Sequence, residues 1–166
     1  MIKRGFPAVL DENTEILILG SLPSDESIRK QQYYGNPGND FWRLVGHAIG
    51  ENLQDMAYEK KLKTLKHNRI GLWDVFKAGS REGSQDSKIG DEEINDFSGL
   101  KEMVPKLRLI CFNGRKAGEY EPLLRGMGYE TKVLPSSSGA NRRFSKNRES
   151  EWEAVFRHLE HHHHHH

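Results

Sequence analysis

The chain holds one cysteine and six prolines in 166 residues, and it has neither a long apolar run nor a marked excess of either charge. A lone cysteine, Cys111, excludes a disulfide framework, a Cys-based zinc site and a four-cysteine iron–sulfur cluster. It lies in an apolar run, which fits a reducing compartment, and a cytoplasmic location is expected. No apolar stretch approaches the about 18–20 residues of a membrane span. Met1-Ile2-Lys3-Arg4-Gly5 is followed by no apolar segment long enough for a signal peptide, so no membrane partner is expected.

Charge is nearly balanced, with Lys+Arg 25 against Asp+Glu 24. Any case for a nucleic-acid partner therefore rests on local distribution. Residues 159–166 read as an expression tag, which removes six of the nine histidines from any metal cluster and leaves His47, His67 and His158. The remaining 1–158 are expected to form a single, monomeric domain with one core, at 35% hydrophobic and 30% charged residues a rather polar one.

What is present is a series of short apolar runs separated by helical patterns. Glu15 to Gly20 is a continuous apolar run ending at glycine, the pattern of a strand buried on both faces of a parallel sheet. Phe41, Leu44, Val45, Ala48 and Ile49 recur at three-to-four spacing, so a helix is expected to start near Phe41, capped by Asn39 or Asp40 and stopped by Gly50. A weaker helix is expected over 57–66. Ile70 to Phe76 reads as a strand and Lys77 to Gly90 as a long loop. Asp91 is expected to cap a helix over 92–104, Leu107 to Phe112 is another apolar strand, and Gly114 opens a helix towards Leu124. Tyr129 to Leu134 reads as a fourth strand, Pro135 to Asn147 as a polar loop, and Glu149 to His158 as a closing amphipathic helix.

Strands alternating with helices predict an α/β fold, a three-layer α/β/α sandwich around a mostly parallel four-stranded sheet. Ligands in such sheets sit beyond the carboxyl ends of the strands, where the polar loops 20–40, 77–90 and 135–147 fall.

Those loops carry the informative residues. Gly20-Ser21-Leu22-Pro23-Ser24 gives a small-residue turn after a buried strand, whose N–H groups suit an anion or a base edge. It lacks the lysine of a P-loop and the spacing of a dinucleotide fingerprint. Gln31 to Trp42 packs Tyr33, Tyr34, Phe41 and Trp42 among amides, glycine and proline, a composition suited either to stacking on a planar base or to opening the next helix into the core. Ser136, Ser137 and Ser138, followed by Asn141, Arg142, Arg143, Lys146 and Arg148, place hydroxyl donors beside four cations, which suits phosphates.

These segments resemble the uracil-DNA glycosylase superfamily, in particular its mismatch-specific thymine/uracil branch and its hypoxanthine-DNA glycosylases. Gly20-Ser21-Leu22-Pro23 through Pro37-Gly38-Asn39-Asp40-Phe41-Trp42 is similar to that group's first active-site segment. Leu134-Pro135-Ser136-Ser137-Ser138 with Asn141-Arg142 is similar to its wedge loop. Gly71-Leu72-Trp73-Asp74-Val75 and Ser80 to Ile89 are similar to the hypoxanthine branch. The resemblance covers about residues 15–157. The mismatch-specific enzymes carry a catalytic asparagine directly before the proline of the first turn, where this chain has Leu22. The hypoxanthine branch also lacks it and relies on an asparagine in the Pro-x-Asn-x-Phe-Trp stretch, here Asn39.

The resemblance implies hydrolysis of an N-glycosidic bond after a damaged base is flipped out of double-stranded DNA, in base excision repair. Asn39 is then the catalytic residue, its side-chain oxygen orienting water. Gly20, Ser21, Tyr34, Phe41 and Asp74 bind the base, and Ser24, Ser84, Ser136, Ser137, Ser138, Asn141, Arg142 and Arg143 contact DNA. The turn, Pro-x-Asn-x-Phe-Trp and wedge segments hold no lysine for a Schiff base, which implies a monofunctional enzyme without lyase activity. No metal or organic cofactor is implied. A mismatch-specific uracil/thymine glycosylase, a damaged-base-binding module without catalysis, and a nucleoside hydrolase or nucleotide-binding protein remain as alternatives.

Overall fold

A computed structural model describes residues 2–80, 90–144 and 147–163. Four parallel strands, β2 (Ile16–Gly20), β3 (Ile70–Asp74), β6 (Leu109–Asn113) and β7 (Glu130–Leu134), form a sheet in the order β3-β2-β6-β7. β2 lies at its centre with every side chain buried, which is why its sequence is continuously apolar.

Strand side chains alternate between faces, and the alternation sorts the core into two layers. Ile16, Ile18, Ile70, Leu72 and Cys111 face α2 (Phe41–Ile49), α3 (Tyr58–His67) and α7 (Arg148–His163). Leu17, Leu19, Ile110 and Phe112 face the opposite side, covered by Phe97 and by α4 (Leu100–Met103), α5 (Arg115–Gly118) and α6 (Glu121–Gly126). The three-layer α/β/α sandwich expected from periodicity is the observed architecture. Burial pushes the Cys111 thiol up to about 12, so it stays protonated in the core.

The amino ends of the strands are tied by a buried carboxylate. Glu15 pairs with Arg69 at 2.8 Å and Arg108 at 3.0 Å, joining the residues that precede β3 and β6 to the one that precedes β2. The opposite, carboxyl edge is left to the loops.

Three local expectations are corrected. Asp74 ends β3, and the chain crosses into a second, antiparallel sheet of β1 (Ile2–Arg4), β4 (Phe76–Ser80) and β5 (Gly90–Ile94), in the order β1-β4-β5. The loop expected from Lys77 thus begins as strand. The helix expected over 92–104 is instead strand up to Ile94 and helix only at Leu100–Met103. An available antiparallel edge on β4 overrides the helical propensity of Glu92 and Glu93, and Pro105 stops the helix that follows. The helix expected from Gly114 to Leu124 is split into α5 and α6, with Pro122 opening the second. Two elements that patterning did not foresee are α1 (Asp25–Lys30) and a 3-10 helix at Leu53–Asp55.

α2 begins and ends as expected, with Gly50 in the left-handed region at φ 74°. Inside it Gly46 is buried, and a Cβ there would stand 2.5 Å from the Glu51 carbonyl oxygen. Helix propensity alone favours alanine over glycine by about 1 kcal/mol. Overpacking outweighs it here: Gly46→Ala should lower stability by roughly 1–3 kcal/mol in urea denaturation. A more stable variant would show that the turn after α2 yields freely.

Candidate active site

The register of the parallel sheet brings the last residues of its strands to one edge. Gly20 lies opposite Asp74, and Asn113 lies opposite Leu134. The loops that leave β2 and β7 close over this edge and enclose a cavity of about 110 Å³, walled by Gly20, Ser21, Tyr34, Asn39, Asp74, Asn113 and Ser136 to Ser138. Segments remote in sequence thus meet at the switch region predicted for an α/β sheet.

Gly20 is small because two polar groups occupy its side-chain space. A Cβ there would lie 2.8 Å from Asp74 Oδ1 and 3.0 Å from the Tyr34 hydroxyl. Tyr34 adopts a left-handed φ of 53°, an uncommon conformation for a residue with a bulky side chain. The Trp42 indole N–H holds it by donating to its carbonyl at 3.2 Å, and its ring stacks on Phe41 with centroids 3.9 Å apart and planes 9° from parallel. Phe41 itself is fully buried. The base contact expected of Phe41 is therefore corrected: it backs Tyr34 from within the core, and Tyr34 presents the aromatic surface to the cavity. Tyr33 is also buried and directs its hydroxyl to the carbonyls of Phe6 and Pro7. Burial, reinforced by the negative charge of Asp74, raises its phenol far above the ordinary range.

The geometry around Asn39 is determined by donors. Asn39 Oδ1 accepts from the Phe41 backbone N–H at 2.9 Å and from the Ser137 hydroxyl at 2.7 Å. Ser137 Oγ in turn accepts from Asn113 Nδ2 at 2.9 Å, while the Ser137 N–H donates to Asn113 Oδ1 at 2.9 Å. A backbone N–H can only donate, so each amide has one permitted orientation. Asn113 Nδ2 spends its other proton on the Tyr34 hydroxyl at 3.2 Å. Both lone pairs of Asn39 Oδ1 are taken, and among the described residues nothing is bonded to its Nδ2. The expected role of the Asn39 oxygen in orienting water does not fit this arrangement, which leaves the amide nitrogen as the end with bonding capacity to spare. Phe41 N–H is also an orphan donor of the α2 terminus, so Asn39 caps the helix and is aimed by the same bond.

A second set of bonds fixes the serine loop. The Asp40 N–H donates to the Ser137 carbonyl at 2.8 Å. Arg148 donates through Nη1 to the carbonyls of Ser136 and Ser138, both at 3.1 Å, and through Nη2 to the Asp40 carboxylate at 2.6 Å. Arg148 is 1% exposed. It was expected among the cations offered to phosphate and is instead a buried strut. Ser137, likewise 1% exposed, uses its hydroxyl internally and is not a phosphate donor.

The other expected DNA contacts divide. Ser24, Ser136 and Ser138 reach the cavity wall, although Ser24 Oγ also caps α1 by accepting from the Ser27 N–H at 3.2 Å. Asn141 turns back to the Ser136 carbonyl at 3.1 Å. Arg142 and Arg143 lie in a 3-10 helix at Gly139–Phe144, with side chains outside the described residues, as is Ser84 altogether. Asn113 was missed by sequence reasoning. Its signal was present: a polar amide closes the apolar run of Leu107 to Phe112 directly before a glycine.

The chain matches the family described as the Uracil DNA glycosylase superfamily over residues 7–160. A curated relative, the hypoxanthine DNA glycosylase of Methanosarcina barkeri (strain Fusaro / DSM 804), is 68% identical over 157 residues, which are 95% of this chain and 99% of the relative.

The strut generates a stability prediction. Arg148→Ala removes the 2.6 Å partner of the buried Asp40 carboxylate, with Arg43 still 3.8 Å away, and should cost about 3 kcal/mol of unfolding free energy. Arg148→Lys should recover little of this, since one ammonium cannot span two carbonyls and a carboxylate as a planar guanidinium does. A loss below about 1 kcal/mol, the range of an exposed pair, would contradict the buried arrangement.

Proposed function

The chain belongs to the uracil DNA glycosylase superfamily, and from that premise we propose that it releases hypoxanthine from deoxyinosine in double-stranded DNA, as a monofunctional, monomeric enzyme of base excision repair. The observation that carries this reading is the clamped Asn39, whose amide nitrogen is an unbonded donor among the described residues at a cavity that Tyr34 walls with an aromatic face. The relative's printed name and the presence of Leu22 before the first-turn proline support hypoxanthine over uracil.

The chemistry follows from those groups. Hypoxanthine presents a carbonyl oxygen and an N1–H on one edge. The Asp74 carboxylate is an acceptor suited to the N1–H, whereas adenine would present a lone pair there and be repelled. Burial of Asp74 makes this discrimination strong, because a lone pair set against a buried carboxylate has no water to screen the repulsion. Tyr34 supplies the stacking face.

As the bond between the sugar carbon and N9 breaks, its electron pair moves onto the base, and the sugar becomes oxocarbenium-like. The Asn39 Nδ2–H meets the growing negative charge, preorganised by Ser137 and the α2 terminus so that it need not reorient during the reaction. A water oxygen bonds to the sugar carbon, and its proton ends on the departing base, leaving free hypoxanthine and an abasic sugar. Ser136 and Ser138 border the cavity where the strand enters.

The test is incubation of the protein with duplexes carrying hypoxanthine, uracil, xanthine or thymine, with mass spectrometry of the released base. Hypoxanthine opposite thymine should be released faster than uracil opposite guanine, by roughly tenfold or more. The reverse order would assign the chain to the mismatch-specific branch, and tight binding without any released base would make it a binding module.

A further inference from the structure

A groove of about 570 Å³ adjoins the base cavity and shares Tyr34, Asn36 and Asn39 with it. Its remaining wall comes from the end of α1, the segment 32–40, the start of α2, Gln54 of the 3-10 helix, and α3, and it carries Lys30 and Lys61. Lys61 Nζ lies 5.0 Å from the centre of the Trp42 ring. Among the described residues it has no carboxylate within ion-pair distance. Burial and the like charge of Lys30 both lower its pKa, against a smaller opposing effect of Asp55. Lys30 Nζ donates to the Gly35 carbonyl at 3.0 Å and is 3.9 Å from Glu26, a distant pair on an exposed surface.

The other charges of the groove, Asp40 and Arg43, are paired, with each other at 3.8 Å and with residues outside it. Asp40 is bonded to the buried Arg148, and Arg43 is held by Glu149 at 2.6 Å. Lys30 and Lys61, whose like charges repel, thus face a recess that also holds the paired Asp40 and Arg43 and is lined otherwise by amides, Gly35, Pro37 and aromatic rings. An anion placed between them would relieve that repulsion. A flipped nucleotide remains covalently joined to its neighbours, so the strand must leave the base cavity across its rim, and this groove is continuous with that rim.

We propose that the groove binds a phosphodiester of the DNA strand that carries the flipped nucleotide, with Lys30 and Lys61 as its cations. The proposal rests on the glycosylase reading for the identity of the polymer. It moves part of the phosphate contact away from the basic run after Ser138, where Arg148 is turned inward, to a face of the protein contributed by α1 and α3.

The test measures the affinity for a duplex bearing a tetrahydrofuran abasic analogue between 50 and 200 mM salt. For Lys30→Gln/Lys61→Gln the slope of log affinity against log salt should flatten by up to about 1.8, roughly 0.9 per lost phosphate contact. Lys63→Gln/Lys66→Gln, on the exposed face of α3, should keep the original slope, and Lys30→Arg/Lys61→Arg should restore it. The same lesion in a single strand should still show flattening, at roughly 0.7 per contact. A slope for the groove variant equal to that of the α3 control, with melting temperatures showing both folded, would overturn the proposal. Flattening confined to the duplex would overturn assignment to the lesion strand. Wild-type release of hypoxanthine with an unchanged slope would reject the groove alone. Flattening without any base release would support the groove and reject the glycosylase reading.

Discussion

A single serine hydroxyl, closed off from water, couples the two halves of the site. Ser137 accepts from Asn113 at the end of β6 and donates to Asn39 at the start of α2, positions separated by 74 residues (113 − 39). The bond to Asn113 is buried and that to Asn39 partly so, and an unmade partner at the buried end would carry the cost of a buried polar group. The consequence is directional: Asn39 has only one end left to offer. An exposed asparagine would sample both ends and many rotamers, and any charge developing near it would have to wait for reorientation.

That relay works because the fold delivers its ends with little freedom. β2, β3 and β6 are locked in register by the parallel sheet, and Gly20, Asp74 and Asn113 end their strands at the same level. The Asp40–Arg148 pair then fastens the loop after β7 to the start of α2, and the Trp152 indole N–H adds a bond to the Pro135 carbonyl at 2.9 Å. Stability and chemistry are here served by neighbouring atoms of the same residues. The helix cap at Asn39 and the clamp at Asp40 are also the positioning devices of the site.

The strands β2, β3 and β6, α2 and the loops that would meet were legible in the sequence because their cause is local: short apolar runs followed by polar, glycine-containing segments, and apolar residues at helical spacing. The small second sheet was not, because β5 is a strand only by virtue of the edge that β4 presents to it, while Asp91, Glu92 and Glu93 carry no strand signal of their own. Side-chain direction was the other limit. Ser137, Phe41 and Arg148 were recognised as belonging to the site, but composition cannot tell an arginine offered to phosphate from one turned onto two carbonyls and a carboxylate. Nor can it reveal that both lone pairs of Asn39 are already engaged.

The account depends most directly on which end of the Asn39 amide acts. Single-turnover release of hypoxanthine from a deoxyinosine·thymine duplex should be compared for the wild type, Asn39→Ala and Asn39→Asp. Aspartate keeps an acceptor for Phe41 and Ser137 but replaces the amide donor by an oxygen. If the nitrogen is the working end, both variants should fall by roughly 100-fold or more, the scale for one positioned transition-state contact. An aspartate variant as fast as the wild type, beside an alanine variant that is not, would show that an acceptor does the work and would contradict the account.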